Sequence, residues 1–191
     1  MSNLKHNKSA GFTLVEMLVA ISIMVILTLV SVTNMRKGER QKKVAYAADG
    51  LVSALRLGQN YALSGKVLPD AATCANRSPV AYEVTFNRTT GRYSLAVEDY
   101  CNTSPVPVVE NFALPDGTKF KSGSMSICNP GCNSSDTIVV RFTPPFAKMT
   151  AATSGSGTFG EFNTVNFTVQ DSEAALERTV TVDGISGKIG E

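Results

Sequence analysis

From Phe12 to Met35 the chain runs through 24 residues that carry a single charge, Glu16. As a helix this run would be roughly 36 Å long, enough to cross a bilayer. A secretory signal peptide is the competing reading, but its apolar region is only about 7–15 residues long and ends in a small-residue cleavage site; neither condition is met here. Glu16 needs its own explanation, because an acid inside a membrane helix costs about 2.5–3.5 kcal/mol and tends to be functional. If the chain began at Phe12, its new amino group would lie close to the Glu16 carboxylate of an adjacent, axially shifted helix, and the two charges could pair.

The flanks of the run carry most of the cationic excess. Lys5 and Lys8 precede it; Arg36, Lys37, Arg40, Lys42 and Lys43 follow it against Glu39 alone; the remainder, 44–191, holds 11 Lys/Arg against 14 Asp/Glu. The body therefore lacks the broad basic field of a sequence-independent nucleic-acid binder. Counting bases on either side of the span would place the body in the cytoplasm. The leader and the cysteines argue for the opposite side.

The residues Lys8-Ser9-Ala10-Gly11, followed by Phe12-Thr13-Leu14-Val15-Glu16-Met17-Leu18, resemble the prepilin leader of type IV pilins and pseudopilins. The resemblance implies cleavage between Gly11 and Phe12 by a prepilin peptidase on the cytoplasmic side, N-methylation of Phe12 by the same peptidase/methyltransferase, and retention of the apolar helix. It assigns Glu16 to filament assembly, where a paired carboxylate would set helix register. The implied partners are other pilins or pseudopilins, the inner-membrane assembly platform and the membrane itself. The implied location is the inner membrane, single-pass, with an extracytoplasmic C-terminal domain, and then the pilus or pseudopilus.

Beyond the span, Val44, Ala48, Leu51, Leu55, Gly58 and Ala62 recur at alternating spacings of four and three, the stripe of an amphipathic helix. The helix is expected to continue to about Leu63 and stop at Ser64-Gly65, with Gly38 and Gly50 as weak points and the stripe facing the chain's own core. After Gly65 the pattern turns to β. Val80–Phe86 and Tyr93–Glu98 flank a hairpin, and further strands are expected at Val106–Val109, Ser124–Cys128, Thr137–Thr143, Thr164–Gln170, Glu177–Asp183 and Ile185–Ile189. Pro144-Pro145 closes one strand, and Thr150–Gly160 reads as a Ser/Thr/Gly-rich loop. The fold class is thus α+β, a long N-terminal helix packed on an antiparallel sheet or sandwich. Its parts are a leader (1–11), a membrane or filament-core helix (12–35), a stem (36–65) and a β-rich domain (66–191). This order, with the ending Glu177–Ile189, resembles the GspH/FimT branch; major pilins and other minor pseudopilins share the leader.

Cys74, Cys101, Cys128 and Cys132 are even in number and suit an oxidising compartment. Of three connectivities, Cys74–Cys101 and Cys128–Cys132 is favoured, the second closing a turn at Asn129-Pro130-Gly131. Zinc on the four cysteines is the rival, but only Cys128 and Cys132 are close in sequence. Glu98-Asp99 and Asp171-x-Glu173 raise calcium without the ligand spacing of a known loop, so no cofactor or metal is expected. His6 is the only histidine, which disfavours Ser-His-Asp and Cys-His chemistry, and no enzyme is expected. Two functions remain: a structural minor pilin or pseudopilin, near the tip or initiating assembly, and a DNA-binding minor pilin using Arg77, Arg88, Arg92 and Lys188 on phosphates. DNA-capturing relatives tend to end in an arginine-rich tail, which this chain lacks.

Overall fold

The computed structural model describes residues 12–67, 79–98, 108–153, 158–173 and 175–191. The chain divides at Glu39/Arg40 into two compact units. One helix, α1 (Leu14–Ser64), supplies residues to both. Its start is capped by Thr13, whose Oγ1 accepts the Glu16 N–H at 3.3 Å, and whose carbonyl accepts the Met17 N–H at 3.2 Å. Its end uses Gly65 in the left-handed region (φ +59°), with the Lys66 N–H returning to the Tyr61 carbonyl at 3.2 Å. That is the six-to-one bond of a Schellman stop, which a residue with a Cβ would strain.

In the first unit the helix exposes its apolar side chains all round, from Leu14 to Val30. Two of its hydroxyls are satisfied locally: Ser22 Oγ donates to the Leu18 carbonyl and Thr28 Oγ1 to that of Val25, each at 2.9 Å. A bilayer demands backbone polar groups paired within the segment, which a helix supplies.

The second unit holds the rest of α1 and eleven strands. Five form an antiparallel sheet in the order β3 (Val108–Ala113), β2 (Arg92–Glu98), β1 (Ala81–Asn87), β7 (Thr137–Thr143), β8 (Lys148–Thr153). The second sheet runs β11 (Ile189–Gly190), β10 (Glu177–Asp183), β9 (Thr164–Asp171), β5 (Ser126–Asn129), β6 (Gly131–Ser134), with β4 (Thr118–Phe120) also on β9. Alternation does the sorting: Tyr82, Val84 and Phe86, then Tyr93, Leu95 and Val97, then Ile138, Val140 and Phe142 point to one core. The second sheet answers with Val165, Phe167 and Val169 and with Val180 and Val182. Phe86 meets Phe167 with ring centroids 4.3 Å apart, so the sheets share this core. The fold is α+β, with the helix packed on antiparallel sheets.

The stripe on α1 faces that core: Val44, Ala47, Ala48, Leu51, Ala54, Leu55 and Ala62 are each at most 2% exposed. Small residues bring the helix close. A Cβ on Gly58 would lie 3.1 Å from both Phe142 and Val84. The helix is continuous through Gly38 and Gly50. Gly50 admits the Tyr93 hydroxyl, 2.8 Å from where a Cβ would sit.

Several strand boundaries differ from the sequence reading. The expected loop Thr150–Gly160 begins as β8, because Met149, Ala151 and Ala152 are buried and the strand pairs with β7 from Thr143↔Lys148 to Ile138↔Thr153; Gly160 bridges back to Ala151. Residues 154–157 lie outside the described residues. The strand expected at Val106–Val109 is β3, running on to Ala113, with 106–107 outside the described residues. The strands β4 and β6 were not expected at all. Instead of a strand at Ile185–Ile189 there is a turn: Asp183 Oδ1 accepts the N–H groups of Ile185 (2.9 Å) and Ser186 (2.8 Å), Gly187 has φ +73°, and pairing resumes only at Ile189.

Two outcomes follow from these contacts. Gly58→Leu gains less than about 1 kcal/mol of helix propensity but overpacks the helix–sheet contact at a cost of about 1–3 kcal/mol. Its urea midpoint should fall, and an unchanged midpoint would contradict the close approach. The Asp183 carboxyl is held below its usual range, chiefly by the Ser186 and Ile185 N–H groups. Its stabilisation is therefore present above the unfolded carboxylate pKa and lost as pH falls through the lower folded value. The stability advantage of the native chain over Asp183→Ala should shrink below about pH 4.

Candidate functional site

Glu16 lies in the first turn of α1, three residues after the cap Thr13. Thr13-x-x-Glu16 has the spacing of a capping box, a signal already present in the sequence. An acid in the first turn also complements the positive end of the helix dipole. The same residue is thus compatible with starting the helix and with receiving a charge from outside the chain. Around it Phe12, Leu14, Val15 and Met17 are 54–81% exposed, so no described part of the chain covers this surface. By length and composition the helix can cross a membrane. Gly11 lies outside the described residues.

Residues 6–32 match the family model of the prokaryotic N-terminal methylation motif. That match supports a type IV pilin-like protein. No curated protein and no solved structure matches the chain. For a pilin-like chain the motif implies assembly with other pilins and processing by a prepilin peptidase, and with the apolar helix it fits membrane anchoring. It points to a structural subunit rather than an enzyme.

The described residues bring together one ionic cluster that the sequence did not reveal. On the outer face of the first sheet Arg141 donates from Nε (2.8 Å) and Nη2 (2.5 Å) to Glu83 Oε1, and its Nη2 lies 3.0 Å from Glu98 Oε2. Phe159 lies against the guanidinium, whose Cζ is 3.6 Å from the ring centroid. Glu83 is directly opposite Arg141 across β1 and β7, a pairing set by register and invisible to local spacing. Paired carboxylates can serve acid–base chemistry. Here an arginine takes one of them in two hydrogen bonds and an aromatic ring covers it, which is the arrangement of a structural tie.

The residues considered for DNA are not gathered. Arg88 is committed to Asp136, through Nε at 2.8 Å and through Nη2. Arg92 is exposed at the start of β2, across the same turn. Lys188 lies in the turn between β10 and β11 of the other sheet, and Arg77 is outside the described residues. Cys128 and Cys132 are disulfide-bonded with Cα atoms 4.0 Å apart, directly opposite each other in the β5–β6 hairpin; Cys74 and Cys101 lie outside the described residues. Of the acids raised for calcium, Asp171 Oδ1 accepts from Ala175 N at 2.8 Å and Leu176 N at 3.1 Å, Glu173 pairs with Arg40, and Asp99 is outside the described residues. No group of three His, Cys, Asp or Glu poised for a metal occurs among the described residues.

Removing Arg141 leaves Glu83, 8% exposed, without its cation. Arg141→Met should cost roughly 2–4 kcal/mol. Glu98→Gln, which removes the surplus carboxylate, should be near neutral. Chemical denaturation of both variants checks the pair, and equal losses would contradict the unequal roles of the two acids.

Proposed function

We propose that the chain is a minor pilin or pseudopilin, a structural subunit of a type IV pilus or type II secretion pseudopilus placed at or near the tip or initiating assembly. The observation that carries this reading is the uncovered apolar helix with Glu16 in its first turn, directly behind Gly11-Phe12 in a matched methylation motif.

In this reading residues 1–11 are the leader and are removed, Phe12 becomes the N-methylated amino terminus, and 12–35 occupy first the inner membrane and then the filament core. Residues 36–65 are the stem, and 66–191 the extracytoplasmic domain, held by Cys74–Cys101 and Cys128–Cys132. The Glu16 carboxylate receives the amino group of a neighbouring subunit's Phe12. Burial in a filament core strengthens such a pair, since the low dielectric there leaves a lone acid poorly solvated. The GspH/FimT branch is proposed on the resemblance of the sequence alone, a long helix followed by antiparallel strands with the ending Glu177–Ile189. DNA capture, the alternative open in the sequence, gains no supporting observation among the described residues, where Arg88 is paired with Asp136.

Gly11→Val should leave the leader attached in cells that contain the prepilin peptidase, read by amino-terminal sequencing. A variant still cut before Phe12 would end the pilin reading. Glu16→Ala should be cut normally yet be missing from sheared filaments. Recovery there at the native level would remove the role given to Glu16.

A further inference from the structure

The bases that follow the apolar run take no part in the proposed assembly, and their placement conflicts with a simple count of charges across the span. Five of the eight residues 36–43 are cationic and one is acidic. Arg40 is paired with Glu173. Arg36, Lys37, Lys42 and Lys43 are exposed and have no partner among the described residues. Elsewhere the described surface cations are largely spent: Arg88 on Asp136, Lys121 on Glu177, Arg141 on Glu83, Lys148 on Glu161 and Arg178 on Glu191. Four free cations within eight residues of one helix therefore stand apart from a body in which acids outnumber bases.

We propose that Arg36, Lys37, Lys42 and Lys43 bind the anionic headgroups of the membrane leaflet on the body's side of the span, and so hold the chain at the bilayer before it enters a filament. The inference rests on the membrane-anchored reading above, but not on leader cleavage. Arg36 and Lys37 directly follow the apolar run and Lys42 and Lys43 come five residues after Lys37, so these are four of the five cations nearest the span on the body's side in the sequence; attraction to a charged surface acts over about 8–10 Å at physiological salt. Lys and Arg can also extend their stems along apolar surface while the charged ends reach phosphate. Polybasic stretches beside a membrane segment are attracted to anionic lipid in this way. In this view the bases are retained beside the span for lipid contact, at the expense of the usual charge asymmetry.

The chain contains no tryptophan, so Gln41→Trp, at an exposed position between the four cations, gives a single fluorescent reporter. The full chain carrying it is reconstituted into phosphatidylcholine vesicles with and without phosphatidylglycerol, each doped with a headgroup-spin-labelled phosphatidylcholine. The expected result is stronger quenching in the anionic vesicles, abolished by high salt and by the joint neutralisation Arg36→Gln, Lys37→Gln, Lys42→Gln and Lys43→Gln. Equal quenching in the two lipids would overturn the proposal, as would a neutralised chain quenched as strongly as the native one. The leader plays no part in this readout, so a chain that fails the cleavage test can still pass this one, and the reverse.

Discussion

Thirteen large apolar side chains between Leu14 and Val30 lie uncovered by the described chain. At about 1.5–3 kcal/mol for each one buried, they represent on the order of 20 kcal/mol or more of unrealised stabilisation. That exceeds the 5–15 kcal/mol or so by which a typical domain is stable. Such a surface is left uncovered by the described residues, and a bilayer could cover it without leaving backbone groups unpaired, because the helix pairs its own. Against this gain the cost of Glu16, about 2.5–3.5 kcal/mol, is small. One acid therefore does not prevent insertion, and its energy falls further once a cation meets it.

The same helix solves a second problem by different means. Within the globular unit it is amphipathic, and its buried face mixes Val44, Leu51 and Leu55 with alanines and Gly58. Gly58 lets it lie against Phe142 and Val84, and Gly50 makes room for Tyr93. The C-terminal turn is tied to it as well, since Arg56 donates to the Ile189 carbonyl and Gln59 to that of Gly187, each at 3.2 Å. The last residues of the chain thus fasten to the element nearest its beginning.

The helix and most long strands were legible because their signals are local. The four-three spacing of the stem, the Ser64-Gly65 stop and the alternation of Thr137–Thr143 each lie within twenty residues. What escaped depended on distant partners. Strand β8 looked like a loop because Thr150-Ala151-Ala152-Thr153 has loop composition, and only its ladder with β7 makes it a strand. Strand β6 exists as the partner of β5, clamped by Cys128–Cys132. The Arg141 cluster joins residues 58 positions apart, and nothing short of the β1–β7 register could reveal it. At the amino terminus the leader pattern and Glu16 are local signals, whereas Thr13 is identified as the helix cap by its hydrogen bond from the Glu16 N–H.

The central claim is that this chain loses its first eleven residues and enters a filament through the helix that begins at Phe12. The measurement closest to it is mass spectrometry of amino-terminal peptides from filaments sheared off cells that make the protein. The account expects a peptide beginning at Phe12, methylated on its amine, in the filament fraction. A peptide in that fraction running uncut through Gly11-Phe12, or the protein's confinement to the membrane fraction, would contradict it.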